Sequence, residues 1–397
     1  MKRSKKPDTI LTHAGNAPGA NHGIINPPVY HASTIVHADL ESLRGGENRA
    51  LQPAPDVYDY GRIGTPTSTA FETAVAELEG AYGTISVPSG LNAVTTALMA
   101  FVEQGDHILI TDSTYGPTRR FCSAVLSRLG IETEFYDPCI EDISALFRPN
   151  TRLLYTESPG SQTFEMQDLP ALASAAEKAG IVTMTDNTWA SPLYCQPLAL
   201  GIDVSIQAAT KYIVGHSDVM MGTISLGDKA HFEKVKRTAI LFGTSAGPDD
   251  HYLALRGLRT MSVRLARHQE NALKIAQWLQ GRPEVSRVLY PALPDDPGHA
   301  LWKRDCSGAS GLLAVVLRPA PDDAFRVLIE GLDLFPIGAS WGGYESLSLP
   351  AKPMRTATKW DEPGDILRLH IGLEDVEDLT ADLAAGLDRF SAAAGPV

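Results

Sequence analysis

Cysteine is scarce in this chain. Cys122, Cys139, Cys195 and Cys306 are spread through 397 residues with no paired zinc or redox spacing. They read as buried thiols of a reducing compartment. Long apolar runs are missing too. A stretch such as Leu312 to Leu317 is strand-sized, far short of the roughly 20 residues that span a bilayer. Positive charge is in deficit: the formal net charge is −13 and the pI is near 5.3, which argues against nucleic acid or an anionic membrane as partner. Met1 to Pro7 is basic but lacks the apolar stretch of a signal peptide. There is no internal repeat or low-complexity tract. Together these absences predict a cytoplasmic globular enzyme.

What the sequence does hold is an ordinary globular balance, 44% hydrophobic and 20% charged. The length exceeds what one hydrophobic core usually serves, which predicts two domains sharing an interface. Residues 1–62 are rich in Pro, Gly, Asn and His with little periodicity, and an extended arm of this kind is expected to lie across another subunit. From about residue 67 the pattern changes. Thr67 to Glu79 puts Phe71, Val75 and Leu78 on one helical face and stops at Gly80. A strand follows over 85–87, then a helix carrying Val94, Leu98 and Phe101. Further strands are expected over 107–111, 131–136, 153–156, 181–185 and 203–207. Helices over 119–129 and 172–179 are closed by Gly130 and Gly180. The alternation predicts an α/β domain, residues 63–256, with a mostly parallel sheet covered by helices on both faces. The amphipathic stretch Tyr252 to Leu279 leads out of it. Residues 257–397 mix strands near 311–317 and 366–371 with helices near 322–330 and 376–390, a smaller C-terminal α+β domain.

Several residues stand where chemistry is done in such folds, each with an ordinary structural reading beside the functional one. Lys211 lies just past a strand. A lysine there is usually solvated, yet the small Ala208 and Ala209 crowd its approach and Gly215-His216-Ser217-Asp218 follows, features a solvent loop has little need of. Asp186 ends the strand 181–185, either as a turn-forming aspartate or as the partner that keeps a ring nitrogen protonated. Ser89-Gly90-Leu91 joins strand to helix, where free N–H groups and the helix dipole favour a phosphate. Glycine at such a turn can also supply only backbone freedom, and the G-x-G-x-x-G spacing of a dinucleotide site is missing. Tyr115 follows the strand 107–111, placed to pack in the core or to stack on a flat ligand. Arg62, in the arm, is either solvated or reaches a phosphate held by a neighbouring subunit. Arg368, on a strand, forms either a structural ion pair or a bidentate clamp on a substrate carboxylate. A lysine for covalent attachment, an acid for the ring nitrogen, a phosphate cradle and a flat stacking partner are what pyridoxal 5′-phosphate (PLP) requires. In an open α/β sheet they belong in loops after the carboxyl ends of strands.

With these residues in place, the chain resembles the PLP-dependent enzymes of cysteine and methionine metabolism, of fold type I. The likeness runs nearly the whole length, from Leu11-Thr12-His13-Ala14-Gly15 and Pro27-Pro28-Val29-Tyr30 through Asp186-Asn187-Thr188-Trp189 to Arg256-Gly257-Leu258-Arg259-Thr260. Its most specific motif is Thr210-Lys211-Tyr212 with Gly215-His216-Ser217-Asp218. The resemblance implies that Lys211 holds PLP, Asp186 pairs with its nitrogen and Tyr115 stacks on its ring. It also implies that Gly90, Leu91 and Thr210 hold the phosphate, with Tyr60 and Arg62 reaching it from an adjacent subunit. Arg368 and Ser340 would bind the carboxylate of a small amino-acid substrate. The family is typically tetrameric, with shared active sites. Ser340-Trp341-Gly342-Gly343-Tyr344-Glu345-Ser346-Leu347 and Glu157-Ser158-Pro159-Gly160-Ser161 resemble its β-eliminating carbon–sulfur lyases, with γ-eliminating and γ-replacing members as the alternative. Trp341 either reshapes the substrate side of the site or packs in the core. Ala208 departs from the family, since many members carry a phosphate-binding serine there. Gly116-Pro117 is closer to the general family than to some β-lyases.

Overall fold

The fold, a computed structural model, is described for residues 5–395; Met1 to Ser4 of the basic N-terminal segment lie outside the described residues. Seven strands form the first sheet: β1 (Gly83–Val87), β2 (His107–Thr111), β3 (Glu132–Tyr136), β4 (Thr151–Glu157), β5 (Val182–Asp186), β6 (Val204–Gln207) and β7 (Gly222–Leu226). Their order is β1-β7-β6-β5-β4-β2-β3. The strands from β6 across to β3 are parallel, whereas β7 runs antiparallel to both β1 and β6. Every residue of β2, β6 and β7 is buried, as a sheet covered on both faces demands. The mostly parallel α/β architecture is therefore the one expected, with β7 as an addition. Gly-Thr-Ile-Ser-Leu is short and follows an irregular loop, so it carries little periodic signal.

A second sheet, of order β10-β11-β9-β8, is wholly antiparallel: β8 (Val285–Leu289), β9 (Leu312–Leu317), β10 (Leu347–Ala351) and β11 (Ile366–His370). The helices over Met261–Gln280, Asp322–Glu330 and Val376–Ala394 bury their apolar faces beside it in one cluster. The amphipathic stretch read as continuous is two helices, Pro248–Arg259 and Met261–Gln280, parted at Thr260. Arg264 lies one turn past the break. Its guanidinium donates to the carbonyls of Gly257 and Tyr212, both at 2.8 Å. It thereby takes a helix carbonyl and anchors the turn after Lys211. The helix expected over 119–129 is irregular as well: an α-turn Gly116–Phe121 widens into a π-turn and tightens again before Gly130. No helix among the described residues is long and apolar enough to cross a membrane.

One carboxylate ties the two sheets' territories together. Asp112, directly after β2, is 1% exposed. It accepts from the backbone N–H groups of Thr356, Ala357 and Thr358 at 2.9–3.0 Å, and from the hydroxyls of both threonines. Arg119 donates to it at 2.5 Å. Burial alone would raise this carboxyl, but Arg119 and the Thr358 and Thr356 amides outweigh it and bring it down to about 2.

Asp112→Asn should therefore destabilise the protein by about 2–4 kcal/mol, because an amide N–H would face N–H donors. A depressed aspartate stabilises above its unfolded pKa, and that stability is lost as pH falls from about 4 through about 2. The gap between wild type and variant, measured by denaturant unfolding, should shrink across that window.

Candidate active site

Glu157 and Asp186 end β4 and β5, and Lys211 follows the carboxyl end of β6. Past β6 the chain turns tightly, with Lys211 N–H on the Ala208 carbonyl at 3.0 Å and Gly215 N–H on the Lys211 carbonyl at 2.7 Å. The Lys211 amine donates to Ser340 Oγ at 2.7 Å and lies 5.2 Å from the centre of the Trp341 ring. Burial, then the Arg368 charge, lower its pKa to about 8 against the opposing pull of Asp186.

Asp186 is the last residue of β5. Its Oδ1 accepts from the Thr188 N–H at 3.0 Å and hydroxyl at 2.5 Å, while Oδ2 has no hydrogen-bond partner among the described residues. Burial raises this carboxyl, with Thr188 and Lys211 pulling the other way. The Thr188 hydroxyl also accepts from Ala208 N–H at 2.8 Å, linking the aspartate to the turn that carries Lys211. Beside Asp186, in register on β4, stands Glu157. It accepts the Tyr115 N–H at 2.7 Å. Burial, then Asp186, push Glu157 well above the usual carboxylate range, against the pull of the Tyr115 N–H and the Thr114 hydroxyl. The Tyr115 phenol is raised by burial and by the same two carboxyls, and its ring is 45% exposed.

Gly90 opens the helix Gly90–Phe101, capped by Ser89 Oγ on the Asn92 N–H at 3.1 Å. The N–H groups of Gly90 and Leu91 have no acceptor among the described residues. A Cβ on Gly90 would lie 2.5 Å from the Ala208 Cβ. This close approach explains why both positions are small. Thr210 is less free than expected: its hydroxyl donates to the Met221 carbonyl at 3.1 Å and accepts the Met221 N–H at 2.9 Å.

From the second sheet, Arg368 donates to the carbonyls of Ala339 at 3.0 Å and Ser340 at 3.1 Å through one nitrogen, Nη2. No carboxylate pairs with it among the described residues. Burial lowers its pKa to about 10. Trp341 is partly buried between both cores and lies 5.5 Å from the Tyr212 ring, so its packing role is real. Gly342 has φ +87°, and a Cβ there would lie 2.9 Å from the Lys211 backbone. A side chain would push this segment off the lysine. The structure does not bring Tyr60 and Arg62 to this cluster. They line a separate cavity of about 410 Å³ with Tyr30, Ser86, Lys236 and His251, where Arg62 donates to the Ile240 carbonyl at 2.9 Å.

Three participants escaped the sequence reading. Thr188 was legible in principle, because Asp-x-Thr commonly closes a local turn. His370 shares a strand face with Arg368 at two-residue spacing, and its Nε2 accepts the Gly342 N–H at 3.1 Å. Glu157 was named only within the Glu157-Ser158-Pro159 segment; its place beside Asp186 follows from strand register.

The donor set suits PLP: an amine already inclined to be neutral, a buried acid with one free oxygen, free helix N–H groups and an uncompensated guanidinium. Placed after the carboxyl ends of an open α/β sheet, these groups define the class of fold type I pyridoxal-phosphate enzymes. The comparisons agree. The chain belongs to the Cys/Met metabolism PLP-dependent enzyme family, whose model matches residues 8–388, and pyridoxal phosphate is its cofactor. It is 45% identical to the cystathionine beta-lyase of Bordetella avium, over 97% of this chain and 98% of that one. It is 43% identical to cystathionine beta-lyase MetC of Escherichia coli (97% and 99%) and 40% identical to an L-alanine/L-glutamate racemase of Wolbachia pipientis (97% and 98%). The crystal structure of cystathionine gamma synthase from Xanthomonas oryzae pv. oryzae matches with a TM-score of 0.90 at 32% identity, covering 98% of this chain and all of that one.

In cofactor-stripped protein, the reactivity of Lys211 toward an amine-modifying reagent, followed by mass spectrometry, should rise with pH through a midpoint near 8. Arg368→Met removes a neighbouring positive charge and should move the midpoint up. Asp186→Asn removes the opposing negative charge and should move it down.

Proposed function

We propose that the chain is a carbon–sulfur lyase cleaving L-cystathionine and water to homocysteine, pyruvate and ammonia by α,β-elimination. The observation that carries this reading is near-full-length identity of 45% and 43% to two cystathionine beta-lyases. Bound through Lys211, pyridoxal phosphate supplies an electron sink for the pair left at Cα when its proton departs. The remaining work falls to the protein. The unpaired edge of Arg368 takes the substrate carboxylate, with Ser340 beside it. Asp186, through its free Oδ2, keeps the ring nitrogen protonated. Lys211, whose amine burial and the Arg368 charge lower to about 8 in the cofactor-free chain, would take the Cα proton as general base. Lys211 or the Tyr115 hydroxyl then delivers a proton to the departing sulfur. Gly90 and Leu91 offer N–H groups to the phosphate, and Thr210 would join them on giving up its bond to the Met221 carbonyl. Trp341 walls the side of the site away from water.

Two other outcomes share the first proton transfer. The Wolbachia relative favours Cα racemisation, in which the proton is returned to Cα and no carbon–sulfur bond breaks. A γ-elimination requires a second deprotonation at Cβ and releases 2-oxobutyrate. Assay of the purified protein on L-cystathionine should yield pyruvate. Release of 2-oxobutyrate, or loss of optical rotation without keto acid, would replace this reading with one of the others. Arg368→Lys keeps the charge but loses the fork, at a cost of roughly 1.5–3 kcal/mol, so kcat/KM should fall about 10–150-fold.

We further propose a homotetramer in which Tyr60 and Arg62 serve a neighbour's site. Supporting this, the arm leaves Ile24, Ile25 and Val36 58%, 67% and 88% exposed in the single chain. Arg62→Ala and Lys211→Ala, each nearly inactive alone, should regain measurable turnover when dissociated, mixed and reassembled. Activity no greater than the separate variants would rule out shared sites.

A further inference from the structure

Cys195 and Cys306, far apart in sequence, face each other in the fold as an isolated antiparallel bridge. The expectation of four buried thiols fails for Cys139, which is exposed, and for Cys306, which is half-buried. The Ser307 N–H donates to the Tyr194 carbonyl at 2.8 Å, so the hydrogen bond belongs to residues flanking the pair. The cysteines thus occupy the narrow, non-hydrogen-bonded position. There, Cα atoms lie about 4.5 Å apart with side chains close, inside the roughly 4.4–6.8 Å that a disulfide spans. Their nearness also registers in acidity. Contact with the Cys306 side chain, ahead of burial and the Asp305 and Glu79 carboxyls, holds the Cys195 thiol well above its ordinary range. Exposure divides the pair: Cys195 is 1% exposed and Cys306 is half-buried. The other two thiols have no such setting. Cys122 is enclosed in the first sheet's core, where burial pushes it up to about 12, and Cys139 is exposed.

We propose that Cys195 and Cys306 form a thiol–disulfide exchange site that low-molecular-weight disulfides oxidise to an intrachain disulfide. The accessible Cys306, as thiolate, attacks one sulfur of the small disulfide and expels the other as a thiolate, leaving a mixed disulfide. That step removes the free thiol beside Cys195, which gives its proton to solvent and attacks the Cys306 sulfur. The second small thiol then leaves. Two protein thiols and one small disulfide become one protein disulfide and two small thiols, with no other oxidant required. The bond ties the loop after Asp186, where Asn187 Nδ2 donates to the Cys195 carbonyl at 3.0 Å, to the segment entering β9. In a reducing compartment the pair rests as a dithiol and responds to the thiol–disulfide ratio.

The test is incubation of the holoenzyme with oxidised glutathione, alkylation of the remaining thiols and non-reducing peptide mass mapping. A linked peptide pair containing Cys195 and Cys306, two hydrogens lighter and undone by dithiothreitol, is expected. Cys195→Ser should accumulate glutathione on Cys306, and Cys306→Ser should leave Cys195 reduced. Exposed Cys139 reports whether the oxidant is active. Stable glutathione on Cys306 of the unmutated chain, or alkylation of both thiols while Cys139 is modified, would overturn the proposal.

Discussion

Positive charge held out of water without enough negative charge to answer it organises this molecule. Burial lowers both Lys211 and Arg368, and the Arg368 charge lowers Lys211 further. The single carboxylate that opposes them, Asp186, is itself pushed toward its neutral form. Glu157, next in register, is pushed the same way by burial and by Asp186. Buried charge is tolerated only when paired or hydrogen-bonded, and here the deficit is positive. A phosphorylated cofactor and an amino-acid carboxylate supply the missing negative charge. The same imbalance leaves the lysine amine partly neutral, the form in which it is nucleophilic and basic. Binding and chemistry therefore draw on one electrostatic condition.

That condition needs two separately built surfaces held at fixed distance, and Asp112 supplies the hold. It sits at the carboxyl end of β2, just before Tyr115, and gathers three consecutive amides from the loop between β10 and β11. On the far side, Arg264 gathers the carbonyls of Tyr212 and Gly257, fixing the turn after Lys211 against the helix that leaves the first sheet. One buried carboxylate collecting N–H groups and one buried guanidinium collecting C=O groups thus bracket the site, each satisfying backbone that irregular segments would leave unpaired.

The parts legible in the sequence were those with local causes. Strand 107–111 and helix 322–330 coincide with their expected limits, because apolar runs and helical periodicity state themselves within a few residues. Lys211, Asp186 and the Gly90 turn stand at strand ends, which the same periodicity locates. What escaped depends on register or on partners distant in sequence. β7 is recognisable only once β1 and β6 flank it. Glu157 matters because it lies opposite Asp186 across a parallel pair, and Cys195 meets Cys306 only through the bridge between the sheets' territories. Beside the break at Thr260, Arg264 reaches a carbonyl on a loop fifty-two positions earlier.

Arg368 and His370 project to the same face of β11, as alternate residues of a strand must. The first grips the carbonyls of Ala339 and Ser340, the second the amide of Gly342. Both ends of the segment carrying Trp341 are therefore fastened to one strand, and Gly342 lies so close to the Lys211 backbone that no side chain fits between them. His370 can serve as an acceptor only while uncharged. Burial and the neighbouring His268 hold it far below the ordinary histidine range, with the Arg368 and Lys211 charges acting the same way. A proton on His370 would add a third cation to a site already in positive excess, so the imbalance that draws in anionic ligands also keeps this acceptor neutral. The Arg368 guanidinium and the Trp341 indole are thus positioned by the same strand.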